Sequence, residues 1–159
     1  MKTIFCLILF CFCTIGCKSQ RSTQSILITN EEVVEIIDSL PSTLSTETSD
    51  GKRKWKDSFN YIDSISVSKI TYHSDDLKVN GFVVQPRKNG KYPCIIWNRG
   101  GVKEYGAINL LRASAMLGKL ASRGFVVIAT QYRGNGGSEG KEEYGGAEIA
   151  DVLNLIEVL

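Results

Sequence analysis

Gly136-Gly137-Ser138-Glu139-Gly140 has the G-x-S-x-G spacing with which a strained strand-to-helix turn presents a serine for attack on a carbonyl. That chemistry needs more than the spacing. The serine must follow a buried strand by about two residues and open a helix at once, so that its hydroxyl is exposed at the helix N-terminus. In this chain the preceding apolar run ends near Gln131, and Lys141-Glu142-Glu143-Tyr144-Gly145-Gly146 stands between Ser138 and the next helical pattern. The one histidine, His73, lies upstream of Ser138, the reverse of the serine, acid, histidine order that accompanies such turns. Ser138 is therefore expected to be an ordinary loop residue.

Composition bounds the other chemistries. One histidine and, past residue 17, one cysteine (Cys94) do not make a metal centre of the usual ligand count, and nothing calls for a cofactor. A formal charge of +2 is too small for a dedicated nucleic-acid binder, whose phosphate contacts demand a concentrated basic face. The densest basic stretch, Lys52-Arg53-Lys54-Trp55-Lys56, fits phosphate binding with a stacking Trp55, but fits better a solvated charge run anchored by one aromatic. With 43% apolar and 23% charged residues, the 159-residue chain suits about one globular domain.

Cys6, Cys11, Cys13 and Cys17 crowd into the first 17 residues, which is no disulfide framework. Lys2, the apolar run from Ile4 to Cys13 and the small residues after it read as a secretory signal peptide over residues 1–16. The run is well short of the ~20 residues that span a bilayer as a helix. Thr14-Ile15-Gly16-Cys17 resembles a bacterial lipoprotein box, with Thr14 where a leucine is usual. No alanine precedes Ala107, so an A-x-A cleavage site is absent. Cys17 is expected to be acylated and to hold the exported chain on a membrane of the bacterial envelope; the alternative is a soluble secreted or periplasmic protein.

The elements that would position any chemistry come later. Residues 17–28 read as a polar tether. Residues 29–40 read as an amphipathic helix, with a Thr29/Glu32 capping box and Val33, Ile36, Ile37 and Leu40 on one face, halted by Pro41. Residues 41–54 read as a solvated linker rich in Ser and Thr. From residue 55 a different unit begins. The β-rich runs Ile65 to Ser74 and Leu77 to Pro86 flank Asp75-Asp76 and predict a hairpin. The continuous apolar runs Cys94 to Asn98 and Phe125 to Gln131 predict strands covered on both faces, joined by a helix near 109–122 into a parallel βαβ unit. Ile149, Val152, Leu153, Ile156 and Leu159 predict a last helix with one apolar face. The fold class is α/β with a parallel sheet core.

Three segments, Lys91 to Gly101, Leu120 to Gly140 and Tyr144 to Leu159, resemble the start of the catalytic domain of prolyl oligopeptidase-type serine peptidases, in the α/β-hydrolase superfamily. The resemblance covers residues 65 to 159, and Tyr132 to Gly140 is its most specific part. It implies an incomplete α/β-hydrolase sheet, with nucleophile, acid and histidine all beyond Leu159 and no catalytic residue within the chain. It also implies that the loop after Asn98 belongs to the oxyanion hole. Arg99 stands where relatives have histidine or tyrosine, which leaves the backbone amides of Gly101 and Val102 as donors to a developing negative charge. A plain tight turn at Gly100-Gly101 explains the same glycines equally well. Arg99, Tyr132 and Arg133 are implied to brace the loops, and Asp151 to be a solvent-side or bracing helix residue.

Two functions are compatible with this. One is the N-terminal part of an exported serine hydrolase, a peptidase or an esterase, acting on a peptide or ester once completed by a C-terminal part. The other is a non-catalytic lipoprotein whose degenerate hydrolase-like domain binds a peptide or partner. The isolated chain is expected to self-associate, because the strand Cys94 to Asn98 would present an interior edge to solvent.

Overall fold

The computed structural model describes residues 28–158. The signal peptide, Cys17 and nearly all of the polar tether lie outside them. Besides 3₁₀ segments at Ser42–Leu44, Asp57–Ser64 and Asn154–Glu157, seven strands and three helices are formed among these residues. In chain order they are β1 (Ile28–Val33), α1 (Ile36–Ser39), β2 (Ser45–Glu47), β3 (Arg53–Trp55), β4 (Ile65–Ser74), β5 (Leu77–Pro86), β6 (Cys94–Trp97), α2 (110–121), β7 (Val126–Thr130) and α3 (Glu148–Leu153).

One five-stranded mixed sheet runs β1-β4-β5-β7-β6. The β4–β5 hairpin turns at Asp75-Asp76, with Ser74 opposite Leu77 and Asp75 at a φ of 52°. Strand β5 pairs antiparallel with β7, and β7 pairs parallel with β6, so β6, α2 and β7 make the expected βαβ unit. Gly81 lets two of these strands meet: a Cβ there would collide with the Ala129 carbonyl of β7.

Period-two alternation sends the sheet's apolar residues to opposite faces. Ile65, Val67, Val84, Val127 and Ala129 pack with Ala113, Leu117 and Ala121 of α2. Ile70, Tyr72, Val79 and Ile128 pack with Leu155, just past α3. Helix α2 widens into a π turn over Ala113–Leu117, where the Tyr61 hydroxyl donates to the carbonyls of Ser114 and Ala115 at 3.2 and 3.3 Å.

Five expectations are corrected. Residues 29–40 are not a helix: Ile28–Val33 adds to β4 as an antiparallel edge strand, and only Ile36–Ser39 is helical. The backbone hydrogen bonds offered by β4 outweigh a weak local cap. Residues 41–54 are not a free linker, since β2 and β3 form a hairpin held by Arg53, whose Nε donates to Ser45 Oγ at 3.0 Å. Nor does a new unit start at residue 55, because Ile36, Leu40 and Trp55 belong to the same core as Ile65 and Leu117. Strand β6 is not covered on both faces. It lies at the sheet edge with Cys94 exposed and Ile95, Ile96 and Trp97 half-buried.

The last correction concerns α3, which is turned the other way round. Ile149, Leu153 and Ile156 are 57%, 57% and 58% exposed, whereas Glu148, Asp151 and Leu155 point inward. The polar partners that hold those two acids decide the rotation.

Candidate functional site

Two loops leave the ends of the parallel strands side by side, one after β6 (98–109) and one after β7 (131–147). Arg99 is buried and joins them. Its Nε donates to the Gln131 carbonyl at 2.9 Å, and its Nη1 donates to the carbonyls of Lys103 at 2.9 Å and Tyr105 at 3.4 Å. The guanidinium lies 5.1 Å from the centre of the Tyr132 ring, and the Tyr132 hydroxyl returns a hydrogen bond to the Arg99 carbonyl at 3.2 Å. Gln131 adds a two-way amide bridge to Ile108, accepting from its N–H at 3.1 Å and donating to its carbonyl. Glu142 accepts the Lys103 amide at 2.8 Å, and Glu104 accepts the Gly136 amide at 3.1 Å.

This frame fixes the glycine turn. Gly101 adopts a φ of 88°, and a Cβ on it would strike the Tyr105 carbonyl, so only glycine fits. Among the described residues neither the Gly101 nor the Val102 N–H has a protein acceptor. Both residues line a cavity of about 550 Å³ whose other walls include Tyr132, Tyr144, Glu148, Ile149 and Leu153. Three non-glycine residues around it, Lys103, Tyr132 and Tyr144, hold left-handed φ values of 51°, 65° and 60°. Such conformations cost free energy and persist only where neighbours over-determine them.

Glu148 sets the far wall. Its carboxylate accepts the amides of Tyr144 and Gly146, each at 2.8 Å, and that of Glu143. Burial pushes its pKa up, but the amides of Glu143, Tyr144 and Gly146 outweigh burial and hold the group below the ordinary glutamate value. Burial likewise pushes the Tyr132 phenol up, so it stays a neutral donor.

Beneath the site lies a buried ionic network. Asp151 is fully buried and accepts from Ser74 Oγ at 2.6 Å, the Arg133 amide at 2.7 Å and Arg133 Nη2 at 2.8 Å. The same Nη2 reaches Asp75 at 2.7 Å, which ties the β4–β5 turn, the loop after β7 and α3 into one cluster. Tyr72 donates to the Asp151 carbonyl and accepts from the Thr130 hydroxyl, both at 2.7 Å, and burial pushes its phenol far up. Asp151 is thus no solvent-side residue.

Ser138 takes no part in any catalytic arrangement among the described residues. Its hydroxyl accepts the Asn80 amide at 3.0 Å, its N–H donates to the Asn135 carbonyl, and it sits in a turn with no helix opening behind it. His73 is exposed on β4 and has no hydrogen bond to it. Sequence reasoning missed the amide cradle of Glu148 and the outward face of α3. An acidic residue in the first helical turn after Gly145-Gly146 was the available signal for the first. For the second there was none.

The model of the X-Pro dipeptidyl-peptidase (S15 family) matches residues 73–157, more than half of the chain. An uncharacterized peptidase of Bacillus subtilis (strain 168), YtmA, is 37% identical over 90 residues, which are 57% of this chain and 34% of that protein. Acetyl xylan esterase 1 from Thermoanaerobacterium sp. JW/SL YS485 is similar in structure with a TM-score of 0.40 and 19% identity, over 77% of this chain and 29% of that one. The chain spans about a third of the curated relative's length.

Proposed function

The chain belongs to the X-Pro dipeptidyl-peptidase family, S15, and from that premise we propose that it forms the carbonyl-binding side of a serine hydrolase site. One observation carries this: among the described residues the Gly101 and Val102 amides have no protein acceptor, and they line an otherwise largely apolar cavity. Rigid N–H donors in such a setting stabilise the negative charge that develops on a carbonyl oxygen during acyl transfer. Arg99 positions them by gripping the carbonyls of Lys103 and Tyr105, on the same loop. Peptides are the proposed substrates and esters the second class. The prolyl oligopeptidase type is part of the same proposal, supported by the run Tyr132 to Gly140. Export and a lipid anchor are proposed on Lys2, the apolar run and Cys17 alone.

The test compares two substitutions in the full-length product of the gene. Val102→Pro deletes one N–H, and Val102→Ala keeps it. Hydrolysis of a prolyl p-nitroanilide and of p-nitrophenyl acetate should fall by about 10²–10³ in kcat for the proline variant relative to the alanine variant. Equal rates for the two variants, or no hydrolysis of either substrate by the parent, would overturn the assignment.

A further inference from the structure

Arg99 has more charge than its loop contacts use. The residue is 5% exposed, it satisfies only backbone carbonyls, and no described carboxylate is ion-paired with it. Its Nη2 is buried without a hydrogen-bond partner among the described residues. A buried cation without a counter-charge is costly, and proteins seldom keep one unless an anion completes it.

Arg99 also lines a second cavity, of about 320 Å³, on the other side of the glycine loop, together with Trp97, Ile108, Arg112, Met116 and Leu117. Among the described residues no acidic one lines it. Arg112 is exposed on the first turn of α2 and is held in place by one bond from Nη1 to the Ala107 carbonyl at 3.0 Å. Its Nε and Nη2 have no protein partner among the described residues. The two arginines therefore differ in role. Arg112 offers an open, planar fork of donors at the surface, while Arg99 adds a positive charge held at low dielectric behind it.

We propose that this cavity is a binding site for a carboxylate carried on a small apolar body. The Arg112 fork pairs with the carboxylate oxygens, the Arg99 charge strengthens that pairing, and Trp97, Ile108, Met116 and Leu117 take the apolar part. A planar carboxylate matches a guanidinium fork in two parallel hydrogen bonds. The cavity is near the lower size limit of small-molecule sites, about 300 Å³, which restricts the body to about the size of one aromatic ring. The site shares Arg99 with the glycine loop but uses neither the Gly101 nor the Val102 amide, so it does not rest on the proposed hydrolysis.

The experiment is an equilibrium titration of the full chain followed by the fluorescence of Trp97, with Trp55 replaced by Phe to remove the second tryptophan. The probes are 3-phenylpropionate, its neutral amide and inorganic phosphate. Saturable change with 3-phenylpropionate is expected, with affinity at least tenfold weaker for the amide and for phosphate. Arg112→Gln, at an exposed position, should weaken 3-phenylpropionate at least tenfold while leaving the urea midpoint unchanged. Raising the salt concentration should weaken the carboxylate and leave the amide unaffected. Equal binding of acid and amide, preference for phosphate, no saturable change, or an unaltered affinity in Arg112→Gln would each overturn the assignment. A positive titration alongside failed hydrolysis, or the converse, separates this site from the proposed activity.

Discussion

Replacing Asp151 by Asn tests whether the buried network beneath the site holds α3 in its inverted orientation. The carboxylate is fully buried and takes three short hydrogen bonds, two of them from Arg133. The asparagine keeps one acceptor oxygen and turns an NH₂ toward a donor, so one of these bonds becomes a clash of donors. Breaking a buried ion pair by removing one partner typically costs about 3–5 kcal/mol. The lower end applies here, because Arg133 Nη2 keeps Asp75 as a counter-charge, one that is partly screened since its side chain is 56% exposed. With a urea m-value of about 2 kcal/mol/M, a loss of about 3 kcal/mol lowers the midpoint by about 1.5 M. Equilibrium urea unfolding at neutral pH, followed by circular dichroism, measures this directly. The double substitution Asp151→Leu with Arg133→Met should cost clearly less than the sum of its singles, since an apolar pair leaves no lone charge behind. A midpoint shift below about 0.5 M for Asp151→Asn, or additive singles, would refute the assigned role.

The lowered pKa of Glu148 sets the sign of a pH effect: its contribution is full above the unfolded glutamate value of about 4.3 and is lost as pH falls through the lower folded value. The stability gap between the parent and Glu148→Gln should therefore close toward acid; a gap constant down to pH 2 would refute the amide cradle. At the sheet edge, β6 is expected to drive concentration-dependent association of the chain, and Ile96→Lys should reduce it in size-exclusion chromatography; a parent that elutes as monomer at every concentration tells against this. Mass spectrometry of the N-terminal peptide from native membranes should find residues 1–16 removed and Cys17 acylated, and an unmodified Cys17 would end the anchor proposal.

The elements legible in the sequence are those whose partners lie nearby along the chain. Asp75-Asp76 between two β-rich runs dictated the β4–β5 hairpin, and the apolar run through Ile128 dictated a central strand. The glycine loop could be placed after β6, because Gly100-Gly101 directly follows an apolar run and precedes a helical pattern. The β1 edge of the sheet was not legible in this way. Residues 28–33 carry a helical cap signal, yet they are a strand because β4, some 35–45 residues away, offers backbone partners that no local pattern reveals. The apolar stripe of α3 likewise promised burial for Ile149 and Leu153. Asp151 instead meets Ser74 from 77 residues upstream and Arg133 from 18. The buried Asp151–Arg133 ion pair, hydrogen-bonded in addition to Ser74 and Asp75, outweighs the burial of two aliphatic side chains, so the stripe faces outward and becomes a wall of the cavity. Local propensity and periodicity thus decided which segments are strands and helices over most of the chain. Non-local hydrogen bonding and charge pairing decided which way the last helix turns, and with it the shape of the site.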